Sequence, residues 1–295
     1  MRIRRTFAGL AGLALLGACS DTPDEAAQAP DSYPALWELA DAEGKTEGWL
    51  FGTIHALPDG VQWSSPRLDE TVAKADLLVV EVAKLDDEDA LGDIFARRAF
   101  DSPTGPLARR IDPRLQSQYE TLLTKARVRS DHFDRMESWA AALALAQLVQ
   151  EADPENGVDR VLIERFEGRD VVELEGAARQ IAIFDALPEK EQRDLLNAVI
   201  EETRDYAKNP GRLGKVWRAG DVDTLAQLTQ QGMLADPELR EALLTARNIA
   251  WATQIENLLS AEDRPLIAVG AGHMFGEDGL PALLEARGFT IRRVE

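Results

Sequence analysis

Two short runs of uninterrupted apolar residues constrain the fold of this chain more than any other feature. Residues 77–80 are LLVV and residues 265–269 are PLIAV, and both runs lie beside segments with helical periodicity. A strand without polar alternation is typical of a sheet buried on both faces. Strand and helix patterns alternate at both ends of the chain. We therefore predict an α/β fold with a mostly parallel or mixed central sheet.

The middle of the chain is mainly helical and forms a large insertion in this pattern. Asp112-Pro113 and Asp236-Pro237 are typical helix starts, because an acidic cap precedes a proline in the first turn. Residues 136–149 are apolar on nearly every side, which predicts a buried helix. We expect these helices to pack over one edge of the sheet.

The amino terminus has the pattern of an export signal. Three arginines within the first five residues precede an apolar run that is too short to span a membrane. The run ends in LGAC, which resembles the bacterial lipobox, so residues 1–18 are predicted to be a lipoprotein signal peptide. Cys19 would then be acylated. Ser20, in place of an aspartate, favours the outer membrane.

The single cysteine also limits the chemistry of the chain. Cys19 is the only one, so disulfides, a cysteine nucleophile in the folded domain and thiolate metal ligands are excluded. Residues 19–33 are rich in Ala, Asp and Pro and are predicted to be a flexible tether that begins with the lipidated residue. The folded domain is predicted to occupy residues 34–295.

The charge of the chain excludes some partners. The formal net charge is −19, and cleavage would remove three arginines and leave −22. Such a surface argues against nucleic acid and against adhesion to anionic lipid. We therefore expect membrane contact through the lipid anchor only, with the domain facing the periplasm of the cell envelope.

Candidate chemistry comes from residues that follow predicted strands. His55 and His273 both end a Gly-x-x-His pattern, and Glu81 and Glu175 follow apolar runs. If the strands are parallel neighbours, these side chains gather at one edge of the sheet and suit a divalent metal. Either histidine alone would more often be a structural, hydrogen-bonded residue, and Glu173 lies close to Glu175 on the other face.

A second candidate is the long helix that begins at Asp236. Arg247 falls on its apolar face, and a buried arginine needs a partner. The partner is either one of the many acids, in a structural ion pair, or a carboxylate or oxyanion of a substrate. Asn248 is adjacent and is a candidate substrate-binding residue. No Gly-x-Ser-x-Gly, P-loop or His-Glu-x-x-His motif is present.

Several short motifs lie along the chain: residues 50–55 (LFGTIH), the strand before Glu81, Gly157-Val158-Asp159, Leu174-Glu175, Arg247-Asn248 with Trp251, and Gly270-Ala271-Gly272-His273 ahead of Gly279-Leu280. In this order they resemble the TraB/GumN family, whose animal relatives are the TIKI proteases. The similarity covers most of residues 34–295. One departure is Leu174-Glu175-Gly176, where the family often has Leu-Glu-Thr.

The resemblance implies a fold related to erythromycin esterase and the haem-binding ChaN proteins, and a divalent-metal peptidase site. By similarity, His55 and His273 would be metal ligands or catalytic groups, joined by Glu175 as a ligand. Glu81 would be a ligand or the general base, and Arg247 would steady developing negative charge. Manganese or cobalt is implied, and zinc or iron would also suit this donor set.

Two functional hypotheses follow from these residues. The first is a metal-dependent hydrolase of the cell envelope that acts on peptides or another small substrate. The second is an envelope lipoprotein that binds a peptide, haem or a signal molecule without chemistry. A purely structural lipoprotein is a third alternative, in which the histidines would pair only with backbone carbonyls.

Overall fold

A computed structural model describes residues 33–101, 105–149, 152–209, 211–259 and 263–295. Six strands form one mixed sheet: β1 Leu36–Ala40, β2 Thr46–Thr53, β3 Leu77–Val80, β4 Asp170–Glu173, β5 Pro265–Gly270 and β6 Thr290–Arg293. Their order is β4-β3-β5-β2-β1-β6. The first four in that order are parallel, whereas β1 runs antiparallel to β2 and to β6. The predicted α/β class with a mixed sheet is confirmed.

Helices connect the strands and fill the middle of the chain. The predicted signal peptide, Cys19 and the tether up to residue 32 lie outside the described residues. In the part that is described, no helix is both long and apolar enough to cross a membrane. The α-helices are α1 Pro66–Lys74, α2 Glu88–Arg98, α3 Gln116–Ala126, α4 Ser138–Val149, α5 Val158–Arg165, α6 Gly176–Asp185, α7 Glu189–Lys208, α8 Arg212–Arg218, α9 Val222–Leu228, α10 Pro237–Arg240, α11 Ala246–Leu259 and α12 Leu280–Glu285.

The two apolar runs form the interior of the sheet. Every residue of β3 and β5 is buried, because each strand has neighbours on both sides and helices on both faces. In the same core, Phe51 of β2 packs against the rings of Trp63 and Trp217. This core fixes the position of the strands whose ends carry the polar residues.

The helical middle has a hydrophobic core of its own. Trp139 of α4 is fully buried and packs against Phe95 of α2 and Phe184 of α6. The neighbouring α7 contributes Leu195, Leu196, Val199 and Ile200 to this core. Ser138–Val149 therefore forms the buried helix that the composition of residues 136–149 predicts, and this helix belongs to the insertion.

The helical segment that begins at Pro237 is interrupted. The sequence predicts one helix from Asp236, but the structure has α10, a π-helical turn at Glu241–Thr245, and then α11. Asp236 caps the start, since its carboxylate accepts the backbone N–H of Leu239 at 3.0 Å. A π turn shifts the face that the following residues present, and such turns are frequent at functional sites.

The parallel strands end in register at one edge of the sheet. Thr53 of β2 pairs with Gly270 of β5, and Val80 of β3 pairs with Ala268 of β5 and Glu173 of β4. His55, Glu81, Glu175 and His273 follow these four strands. The carboxyl ends of all four parallel strands therefore lie at one edge of the sheet, as the sequence predicts.

We expect Ile267→Ala to lower the free energy of unfolding by about 2–5 kcal/mol, because it leaves a cavity in the middle of β5. The matched control is Ile249→Ala on α11, whose side chain is 48% exposed and which should change stability by less than about 0.5 kcal/mol. Chemical denaturation measures both. Equal losses in the two variants would contradict the assignment of β5 to the core.

Candidate active site

The first histidine of the site is held by a buried carboxylate. Nδ1 of His55 lies 2.7 Å from Oδ2 of Asp159, and the Thr53 hydroxyl donates to Oδ1 of Asp159 at 2.5 Å. The Asp159 side chain is only 6% exposed. Because a carboxylate can only accept, Nδ1 of His55 carries a proton and the ring orientation is fixed.

Backbone contacts bring α5 to the end of β2. The N–H of Val158 donates to the carbonyl of Ile54 at 2.9 Å. A Cβ at Gly157 would lie 2.5 Å from the carbonyl oxygen of His55, so this approach requires glycine. The close approach places Asp159, in the first turn of α5, beside His55.

The carboxylate sets the protonation state of His55. Burial by itself would lower the pKa of His55, but the charge and hydrogen bond of Asp159, with the charge of Glu81, outweigh it and raise the pKa to about 9. Burial would raise the pKa of Asp159, but the contact with His55 lowers it. At neutral pH the pair is therefore an imidazolium and a carboxylate.

The other nitrogen of His55 has no partner among the described residues. Nε2 is buried, and no hydrogen bond to it is present. A buried donor without a partner is costly, and such groups in native sites are commonly satisfied by a water, a substrate or an ion. Nε2 is therefore the atom of this ring that is available for a ligand.

The second histidine has the opposite environment. Nδ1 of His273 lies 2.6 Å from Oδ1 of Asn248, whose amide nitrogen donates to the carbonyl of Asp278 at 2.7 Å. The ring packs against Trp251 with centroids 4.5 Å apart. Burial, with the charges of Arg247 and His55, lowers the pKa of His273 well below its usual range. This ring is therefore neutral, with the lone pair on Nε2.

The π turn aims two consecutive residues at the site. Asn248 binds the His273 ring, while Nη1 of Arg247 donates to the Leu243 carbonyl of the turn at 2.8 Å and lies 3.3 Å from Nε2 of His273. Asp278 anchors the segment, because its carboxylate accepts from Thr245 at 2.7 Å and pairs with a second arginine of the same helical segment.

Glu81 is buried and accepts three hydrogen bonds. Its Oε1 accepts the backbone N–H of Gly270 at 2.8 Å and lies 3.9 Å from Nε2 of His273. Its Oε2 accepts from Gln180 at 3.0 Å and from Arg247 at 2.7 Å. The strand end of β5 and the guanidinium thus fix this carboxylate.

Glu175 and Arg247 form a bidentate pair. Nε of Arg247 donates to Oε2 of Glu175 at 3.2 Å, and Nη2 donates to Oε1 at 2.5 Å. Burial raises the pKa of Glu175, and Arg247 offsets this only in part. Burial would lower the pKa of Arg247, but Glu81 and Glu175 raise it. The guanidinium is therefore charged and balances two buried acids.

The glycine that departs from the family pattern has a structural reason. Gly176 has φ +74°, and a Cβ there would lie 2.9 Å from the carboxylate of Glu173. Its backbone N–H donates to the carbonyl of Glu81 at 3.0 Å. The tight turn thus attaches Glu175 to the end of β3 without a threonine side chain.

Gln180 is a site residue that the sequence analysis did not predict. Its amide nitrogen donates to Glu81 at 3.0 Å and to Glu175 at 3.2 Å, and its side chain is buried. Both N–H groups are then used, and Oε1 has no partner among the described residues. Spacing offered one signal: Gln180 lies five residues after Glu175 on α6, one turn into the helix.

The structure brings five of the predicted residues together. The sixth, Asn248, supports one of them, since its side chain binds Nδ1 of His273. Hydrogen bonds join Glu81, Glu175, Arg247 and His273, and His55 lies close enough for the charges of Glu81 and Arg247 to act on it. Asp159 lay in a motif of the sequence without an assigned role, and no local pattern connects it to a histidine 104 positions away. His132, the third histidine of the chain, is exposed, and Cys19 lies outside the described residues.

Both site histidines bind side chains. Asp159 and Asn248 hold the two Nδ1 atoms, which is not the backbone pairing expected of a purely structural lipoprotein. This arrangement directs both Nε2 atoms away from their supporting residues. It fixes which nitrogen of each ring faces the site.

The donor set does not fit the divalent metal that the resemblance implies. Among the residues that the structure describes, no group of three His, Cys, Asp or Glu side chains is arranged to hold an ion. Glu81 and Glu175 accept from Arg247, whose Nη1 also faces Nε2 of His273. Of the two histidines and two glutamates of this site, His55 alone has a side-chain nitrogen, Nε2, without a partner among the described residues.

The raised pKa of His55 predicts that the stability of the fold depends on pH. Its imidazolium stabilises the fold by about 3 kcal/mol below pH 6.5, and this stabilisation is lost as the pH rises through about 9. We expect Asp159→Asn to bring the pKa of His55 below 6.5, because burial then dominates.

Histidine NMR titration of the wild type and of Asp159→Asn measures this shift directly. His132→Asn assigns the signal of the exposed ring and serves as the control. An unchanged His55 titration in Asp159→Asn would contradict the pairing of the two side chains.

The chain is similar to known proteins over most of its length. The model of the TraB/PrgY/gumN family matches residues 35–293. The uncharacterized protein YbaP of Shigella flexneri is 25% identical over 259 residues, which is 82% of this chain and 89% of that protein. YbaP of Escherichia coli K12 is 25% identical over 253 residues, 80% of this chain and 86% of the relative. No solved structure gives a significant match. The chain belongs to the TraB/PrgY/gumN family.

Proposed function

We propose that this protein is a hydrolase of acyl bonds, with peptides as the first substrate class to test. The observation that carries the proposal is His55, an imidazolium held by Asp159 whose buried Nε2 has no partner. A charged donor that is oriented and unpaired is suited to protonate a leaving group. The peptide class comes from the resemblance to the TIKI proteases.

The two histidines differ in charge, which supports an acid and base arrangement. At neutral pH His55 is protonated because the Asp159 carboxylate holds its proton, whereas His273 is neutral because of its burial and the neighbouring cations. Groups whose surroundings separate their pKa values are typical of acid–base catalysis. His273 then acts as a hydrogen-bond acceptor throughout the reaction.

Glu81 is the proposed proton acceptor for the attacking water. Its Oε1 lies 3.9 Å from Nε2 of His273 and accepts one backbone N–H, so this oxygen can still accept a hydrogen bond from a water. Water attacks the acyl carbon and its proton passes to Glu81. His55 gives the Nε2 proton to the leaving nitrogen or oxygen, and the bond from the acyl carbon to that atom breaks.

The cycle closes by exchange with solvent. Glu81 releases the proton that it accepted, and His55 regains one because its pKa is about 9. The products are a carboxylic acid and an amine or alcohol, so the atoms of water and substrate balance. Arg247, Gln180 and Asn248 position the reacting side chains through the contacts given above.

We expect the purified full chain to hydrolyse members of a fluorogenic peptide library or simple aryl esters. His55→Asn and Glu81→Gln should each lower kcat about 10²–10⁴-fold. The exposed His132→Asn is the matched control and should keep wild-type kcat. Assays with a chelator and with added Mn²⁺ test the metal dependence that the resemblance implies.

The pH dependence gives an independent check on the role of His55. Activity should fall as the pH rises through about 9, because His55 loses the proton that it donates. Binding of a peptide or haem without turnover would support the non-catalytic alternative. Equal activity in His55→Asn and the wild type would refute the proposed mechanism.

We also propose that the protein is an envelope lipoprotein anchored through Cys19, a residue outside the described part of the chain. The support is the basic and apolar amino terminus that ends in LGAC. Labelled palmitate should be incorporated into the wild type and into Ser20→Ala but not into Cys19→Ser. Labelling of Cys19→Ser would contradict the proposal.

A further inference from the structure

Two carboxylates are buried side by side at the edge of the sheet. The side chains of Glu81 and Glu175 are 5% and 2% exposed, and Gln180 donates to both. Buried carboxylates need a cation close by, since the interior solvates charge poorly. Either a metal ion or a side chain can supply that cation.

In this chain the cation is Arg247, and its guanidinium is fully engaged. Nε and Nη2 make three hydrogen bonds with the two glutamates, at 2.5–3.2 Å. Nη1 donates to the Leu243 carbonyl at 2.8 Å and faces Nε2 of His273 at 3.3 Å. All five N–H groups of the guanidinium are therefore accounted for.

The same contacts occupy three of the groups that would coordinate an ion. Glu81, Glu175 and His273 all face Arg247, and the ring of Trp251 covers the guanidinium with 4.6 Å between its carbon and the ring centroid. A divalent ion at this position would have to displace a cation that is stabilised by two carboxylates and an aromatic face. Glu81, Glu175 and His273, which would otherwise be free to coordinate an ion, are thus already engaged by Arg247.

We propose that Arg247 is the resident cation of this site and takes the position of the divalent metal that the family resemblance implies. The site then binds its substrate with His55 and Gln180, the residues whose buried Nε2 and Oε1 have no partner in the described structure. This inference concerns the cation and does not depend on hydrolysis.

The test uses the metal alone, on the full chain purified in detergent. Isothermal titration with MnCl₂ and with CoCl₂ should show no stoichiometric binding to the wild type at micromolar metal. Arg247→Met keeps an unbranched side chain but frees Glu81, Glu175 and His273, so it should bind one equivalent at least about tenfold more tightly. Glu175→Gln in the Arg247→Met background should reduce that affinity again.

Arg264→Met is the matched control, because Arg264 pairs with Asp76 at the opposite end of the sheet, at 3.1 Å. It should bind metal no better than the wild type. Circular dichroism of each variant reports whether it folds.

The metal titration of the wild type tests the proposal even if Arg247→Met does not fold. One equivalent of metal bound by the wild type at micromolar concentration, and lost in His55→Ala and in His273→Ala, would overturn the inference. That outcome would leave the proposed hydrolase intact as a metal enzyme. Metal-free hydrolysis would agree with both proposals, whereas the absence of metal binding together with the absence of hydrolysis would refute only the proposed function.

Discussion

The arrangement of this site depends on two carboxylates that are buried at the ends of neighbouring parallel strands. Glu81 and Glu175 cannot stay charged in the interior without a cation at hydrogen-bond distance, and Arg247 provides it. That requirement fixes where the segment from Pro237 must approach the sheet. The π turn, the amide of Asn248 and the ring of His273 are positioned around the same guanidinium.

Two rings of the same chemical type acquire opposite properties in this site. The carboxylate of Asp159 holds a proton on His55, while burial and two neighbouring cations keep His273 neutral. The difference comes from what each Nδ1 contacts and from the nearby charge, not from the shared Gly-x-x-His pattern. A site with a fixed donor and a fixed acceptor follows from two short motifs in different surroundings.

Much of the fold and part of the site could be predicted because the signals are local. The apolar runs of β3 and β5 indicated buried parallel strands, and residues after four strands were expected at one edge. Arg247 was expected to be buried, with either an acid of the chain or a substrate group as its partner. By contrast, Asp159 could not be assigned, because its partner His55 lies 104 positions away. Gln180 is five residues from Glu175, but its other partner, Glu81, lies 99 positions away. The π turn was missed as well, since apolar periodicity alone indicates one regular helix.

The sequence by itself determined the α/β class, the buried strands and the set of polar residues at their ends, because periodicity and burial are properties of neighbouring residues. It also determined the family, through motifs whose order spans the domain. Only the tertiary structure decided which groups are paired and which are free. Hydrogen bonds and charge coupling act over a few ångströms in space, and distance along the chain does not report them. For that reason the role of Arg247, between two glutamates and a histidine, emerged only from the folded chain.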